Sequence, residues 1–125
     1  MARILIVDDS IVARMSLKSC LPKELHELAE ATDGASGVAL FNSFAPAVTF
    51  LDLTMPGMDG AQALKEMKQI RSSAVIIILT ADIQKRTIEM VKECGAFAVL
   101  KKPPRKQEVL SALEQALQAA EAYNV

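Results

Sequence analysis

Five times along this chain a short, dense apolar run is followed by a longer amphipathic stretch. That alternation constrains the fold more than any other feature. Ile4-Leu5-Ile6-Val7, Val48-Thr49-Phe50-Leu51, Val75-Ile76-Ile77-Ile78-Leu79 and Phe97-Ala98-Val99-Leu100 are too short for buried helices and read as buried strands. Leu25 to Ala31 is a weaker fifth candidate, because His26, Glu27 and Glu30 dilute it. Strands alternating with helices predict an α/β fold: a five-stranded parallel sheet, doubly wound, with five helices covering both faces.

The intervening stretches carry helix punctuation. Asp9 or Ser10 can cap a helix running to about Cys20, before Pro22. Asp33-Gly34 opens a second through Val38, Leu40, Phe41 and Phe44. Asp59 can cap a third, with Leu64, Met67 and Ile70 at helical spacing. Asp82 precedes a fourth that turns Ile83, Ile88, Val91 and Cys94 inward and stops at Gly95. The last places Val109, Leu110, Leu113, Ala116, Leu117 and Ala120 on one face.

Composition narrows the function. The 125 residues suit one domain, 1–125, with no effector domain expected, and 51% hydrophobic content supplies a core. Fourteen Lys and Arg against fifteen Asp and Glu leave a net charge of −1, no basic surplus for phosphate backbones. Aromatic content of 4% offers no base-stacking platform, so no nucleic-acid partner is expected. No apolar run is long enough to span a bilayer, and the first residues lack a secretory layout. A cytoplasmic monomer without membrane contact is the expectation. Cys20 and Cys94 form no metal or disulfide spacing and read as free thiols at helix ends.

In open parallel sheets, ligands bind beyond the carboxyl ends of the strands. Those ends carry Asp8-Asp9, Asp52, Thr80 and Lys101-Lys102-Pro103. If the first and third strands are neighbours, ~4.8 Å apart, the three aspartates converge. Two carboxylates about 4 Å apart repel by roughly 4 kcal/mol at an effective dielectric of 20. Three together need a proton, a cation or strong donors. An all-oxygen set of this kind suits Mg²⁺. With a hydroxyl from Thr80 and an ammonium from Lys102, the set suits phosphoryl transfer onto a carboxylate.

Val7-Asp8-Asp9-Ser10, the stretch Leu51-Asp52-Leu53-Thr54-Met55-Pro56-Gly57-Met58-Asp59-Gly60, Leu79-Thr80-Ala81, and Gly95-Ala96 followed by Lys102-Pro103 resemble the receiver domain of two-component response regulators, in its single-domain, CheY-like form. The resemblance covers essentially the whole chain. It implies a three-layer flavodoxin-like fold with strand order 2-1-3-4-5. It also implies that Asp52 accepts a phosphoryl group from a histidine kinase. Asp8, Asp9, Asp52 and the Thr54 backbone carbonyl would bind Mg²⁺, Thr80 and Lys102 would contact the phosphoryl group, and Thr54 and Asp82 would tune its lifetime. The Lys102-Pro103 bond is implied to be cis. A protein target would meet the face formed by the fourth helix, fifth strand and fifth helix, possible pathways including chemotaxis. Two departures stand out. Val99 occupies the family's switch-aromatic position, with Phe97 two residues earlier, and Pro104 replaces a bulky residue.

Other residues have plainer readings. Asp8 and Asp9 alone could serve as a helix cap and a dipole partner; beside Asp52, Thr80 and Lys102 the site reading prevails. Asp33 reads as a cap, Lys101 as a solvated neighbour, His26 as incidental surface, and Met55 and Met58 as loop packing. Arg14 either reaches the acid cluster or lies on a solvated helix face. Three competing functions are weaker. A haloacid-dehalogenase-like phosphohydrolase needs a second Asp where Thr54 stands. A flavodoxin-like electron carrier would find its flavin phosphate repelled by Asp8 and Asp9. A pseudo-receiver used only for binding has no need of the intact site. The chain is expected to be a switch and not a turnover enzyme.

Overall fold

Each apolar run forms a strand and each amphipathic stretch a helix in the computed structural model, which describes residues 2–54 and 59–123. The order is β1 (Arg3–Val7), α1 (Ile11–Cys20), β2 (Glu27–Ala31), α2 (Gly34–Phe44), β3 (Val48–Asp52), α3 (Gly60–Ile70), β4 (Ile76–Thr80), α4 (Lys85–Glu93), β5 (Ala98–Lys101) and α5 (Lys106–Tyr123). All pairings are parallel and the sheet order is β2-β1-β3-β4-β5. The order reverses between β1 and β3, which opens a crevice above their carboxyl ends.

Alternation along the strands divides the core in two. Ile4, Ile6, Val48, Phe50, Ile77 and Leu79 face α1 and α5, where Leu17, Val109, Leu113 and Ala116 meet them. Leu5, Val7, Leu51, Ile76 and Ile78 face α2, α3 and α4 through Phe41, Leu64, Met67 and Val91. β3 and β4 are buried along their whole length, which explains their near-continuous apolar sequence.

Capping sets where the helices begin. Ser10 accepts from the Ala13 N–H, Asp33 from Ser36 and Asp59 from Gln62. Gly60 is tied to the end of β3. Its N–H donates to the Leu53 carbonyl at 2.9 Å, and a Cβ there would collide with the backbone of Asp52 and Leu53. Gly95 ends α4 with φ of 101°.

Several inward assignments shift. Leu25 is 62% exposed, in a turn closed by its own N–H to the Pro22 carbonyl, so β2 starts only at Glu27. Ile83 is exposed because α4 starts after it, at Lys85. The Asp82 carboxylate, not the Gln84 side chain, accepts from the Gln84 N–H and the Thr87 hydroxyl at that start. Ile70 closes α3 in an exposed position beyond Met67. On α5 the buried stripe runs through Val109, Ala112, Leu113, Ala116 and Ala120, leaving Leu110 on its outer edge. His26 is half-buried and its Nδ1 accepts the Ala2 N–H at 3.1 Å, so it anchors the approach to β1. Burial, reinforced by the positive chain terminus, lowers its pKa. Met55 and Met58 lie outside the described residues.

One core atom works against the fold. Thr49 sits within β3 and its Oγ1 is buried without a hydrogen-bond partner among the described residues. Thr49→Val keeps the shape and removes the stranded hydroxyl. The expected outcome is a gain of about 1 kcal/mol, read as a higher urea midpoint at unchanged slope. A loss would mean that the hydroxyl has a partner.

Candidate functional site

β1, β3, β4 and β5 each deliver a polar residue at the same end of the sheet. The β1–β3 register pairs Val7 with Leu51, so Asp8 and Asp52 leave their strands side by side. Asp8 and Asp52 are both buried, at 2% and 3% exposure, whereas Asp9 is exposed. Carboxylate oxygens of Asp8, Asp9 and Asp52 lie within 4.8 Å of one another. Thr80 ends β4 and is buried; its Oγ1 accepts the Asp82 N–H at 3.0 Å.

Lys102 closes the group. Its N–H donates to the Thr80 carbonyl at 2.9 Å, extending the β4–β5 pairing by one residue. The following bond to Pro103 is cis. The side chain then reaches across β4, placing Nζ 2.8 Å from Asp8 Oδ2 and 3.3 Å from Asp52 Oδ1. Backbone donors complete the two carboxylates. Ser10 N–H donates to Asp8 Oδ1 at 2.9 Å, and Thr54 N–H to Asp52 Oδ1 at 3.4 Å.

The charge balance is unequal: three carboxylates face one ammonium. Burial first, and Asp8 second, push the Asp52 carboxyl above the ordinary range, and Lys102 with the Thr54 N–H only partly offsets them. Burial works against the Lys102 ammonium, but its bond to Asp8 and the charges of Asp52 and Asp8 outweigh that and raise its pKa. A site short of two positive charges, built of hard oxygen donors, fits a divalent cation such as Mg²⁺. One donor, Asp9, is exposed and accepts no side-chain hydrogen bond among the described residues, so it is free to serve an ion.

The remaining residues singled out from sequence fall around this centre. Thr54 is exposed, two residues past Asp52. The Asp82 carboxylate is committed to the start of α4, and the Gln84 N–H and Thr87 hydroxyl lower its pKa. Val99 is half-buried and packs on the α2–α3–α4 side, while Phe97 precedes β5 and is 38% exposed. Pro103 and Pro104 line a cavity of about 330 Å³ with Asp8, Val12, Leu17 and Lys102. Lys101 is exposed. Arg14 does reach the cluster, though at the Asp8 backbone carbonyl and not at a carboxylate. Its partner Glu30 was not legible as a site neighbour, because only the β1–β2 pairing brings it there.

The raised pKa of Asp52 has a consequence for stability. The native state binds that proton more tightly than the unfolded chain, so stability is lost as pH rises from the ordinary value of 3.8 through the folded one. Asp52→Asn removes this penalty and leaves Lys102 its shorter bond to Asp8. At pH 7 and without metal, the variant is expected to melt a few degrees higher than wild type. The gain should vanish below about pH 3.8. An equal or lower midpoint at pH 7 would contradict the charge balance described.

Comparison with known proteins agrees with this geometry. The response regulator receiver domain family matches residues 4–114. The chain is 40% identical to chemotaxis protein CheY of Bacillus subtilis over 116 residues, covering 92% of this chain and 97% of that protein. It is 37% identical to protein PilH of Pseudomonas aeruginosa, covering 94% and 98%. A CheY-like receiver domain protein from Methanospirillum hungatei superposes with a TM-score of 0.91 at 25% identity, covering 98% of each chain. The chain spans only 28% of NtrX from Brucella abortus, at TM-score 0.89 and 28% identity over 98% of this chain. With its sheet order, its acid cluster and these relatives in agreement, the chain belongs to the response regulator receiver domain family.

Proposed function

We propose that this chain is a phosphorylation switch in which Asp52 accepts a phosphoryl group from a histidine kinase and thereby alters binding to a protein target. The observation that carries the reading is the Lys102 ammonium shared by buried Asp8 and Asp52 beside the exposed carboxylate of Asp9.

In the transfer, an Asp52 carboxylate oxygen forms a bond to phosphorus as the bond from phosphorus to the donor imidazole nitrogen breaks. The electron pair of that bond stays on the nitrogen. Asp8, Asp9, Asp52 and the Thr54 carbonyl would hold Mg²⁺, which when bound supplies charge neutralisation for the phosphoryl oxygens. Lys102 supplies a second positive charge to the same oxygens. The donor's carrier must cover the rim, where Ile11, Val12 and Met15 of α1 are at least 60% exposed.

Phosphorylation adds about −1.5 to −2 charges at the cluster. The Thr80 hydroxyl can then donate to a phosphoryl oxygen, and as it turns, the Asp82 N–H loses its acceptor. That frees the link between β4 and α4. Met90 on α4 and Phe97 before β5 are exposed apolar groups, which supports the face formed by α4, β5 and α5 as the output surface. Thr54 and Asp82 flank the phosphoryl position and would set its lifetime. Val99 carries no ring, so the scheme uses no aromatic rotamer switch at that position. The switch acts as a cytoplasmic monomer and turns over no other substrate; chemotaxis is one pathway in keeping with the relatives named CheY.

Acetyl phosphate with Mg²⁺ is expected to add one phosphoryl group to wild type by intact mass and none to Asp52→Asn. Equal modification of the variant would move the site elsewhere. Lys102→Ala is expected to retain Mg²⁺ binding but to lose most of the difference in partner capture between phosphorylated and unphosphorylated protein. Full coupling in that variant would remove Lys102 from the switch.

A further inference from the structure

Arg14 carries no role in the phosphoryl chemistry above, yet its side chain is only 12% exposed and bridges two strands' worth of structure. Nη1 donates to the Asp8 backbone carbonyl at 2.8 Å, and Nε donates to Glu30 Oε1 on β2 at 3.0 Å. Lys18, one turn further along α1, holds the other Glu30 oxygen at 2.9 Å. The guanidinium is thus braced from below while it grips the backbone of the acid cluster.

The gripped carbonyl belongs to the peptide unit that joins Asp8 to Asp9. A peptide unit is planar, so fixing its oxygen also fixes where the Asp9 nitrogen and Cα lie. The Asp8 carboxylate does not need this help, because the Ser10 N–H and Lys102 already hold it. Asp9 does need it: its carboxylate is exposed and accepts no side-chain hydrogen bond among the described residues. We propose that Arg14, braced by Glu30, is a positioning residue that sets the Asp8–Asp9 peptide plane and so aims the Asp9 carboxylate at the divalent-cation site. The proposal rests on the Mg²⁺ reading of that site.

Charge and geometry predict opposite outcomes. As a cation beside the acid cluster, Arg14 repels a metal ion, so its removal should tighten Mg²⁺ binding on charge alone. As a positioning group, its removal should weaken binding, by about tenfold for a supporting partner of a ligand.

Magnesium chloride titrated into the metal-free chain by calorimetry at constant ionic strength separates the two. Arg14→Met keeps the apolar stem and is expected to weaken Mg²⁺ binding about tenfold. The Asp9 amide resonance should shift in the same metal-free variant. Arg14→Lys keeps the charge and a single donor, and is expected to recover part of the affinity. Binding that is unchanged or tighter in Arg14→Met overturns the proposal, even if the variant melts lower, since that pattern describes a structural role alone. Should the methionine variant not fold, Arg14→Lys decides: wild-type affinity with an unmoved Asp9 amide overturns it. A wild type that binds no Mg²⁺ fails the metal reading itself, and the proposal with it.

Discussion

The Lys102 ammonium, held between Asp8 and Asp52, is the interaction on which the working end of this molecule depends. Two buried carboxylates on adjacent strands repel strongly where water is scarce. One cation between them is enough for the fold to tolerate the pair, but not enough to neutralise it with Asp9 alongside. Burial first, and the Asp8 charge second, raise the pKa of Asp52 despite a lysine at 3.3 Å. The site is therefore an unfinished ion pair, whose oxygen donors fit an added cation.

The scaffold around this cluster is rigid where the chemistry needs it. β3 and β4 are buried on both faces, and Gly60 lets α3 press against the backbone at Asp52. Asp52 thus ends a fully buried strand, and Asp8 follows the neighbouring β1. Adaptable pieces lie around them: the Asp9 side chain is exposed, and Thr80 is tied to the α4 side by a single hydrogen bond from Asp82.

Much of the site was legible in the chain before folding. Asp8-Asp9, Asp52, Thr80 and Lys102 each stand at the end of an apolar run, and in a parallel sheet such positions share one rim. Glu30 was not legible, because nothing local marks a glutamate on an edge strand as a neighbour of an arginine on α1. Ile83 and Leu110 misled for a related reason. Helical spacing tells which residues share a face, but the start of α4 and the rotation of α5 on the sheet decide which face is covered. His26 read as surface because its Nδ1 partner, the Ala2 N–H, is twenty-four residues away.

Local chemistry alone determined the strand–helix alternation, the caps at Ser10, Asp33 and Asp59, and the identity of the acids, hydroxyl and lysine. These follow from periodicity and short-range hydrogen bonding, which act over a few residues. Tertiary structure alone decided that the Lys102 ammonium would reach across β4 to Asp8 and Asp52. It also turned Arg14 to a backbone carbonyl and left Thr49 Oγ1 without a partner among the described residues. Those outcomes depend on strand order and helix rotation, and both are set by burying two apolar faces at once.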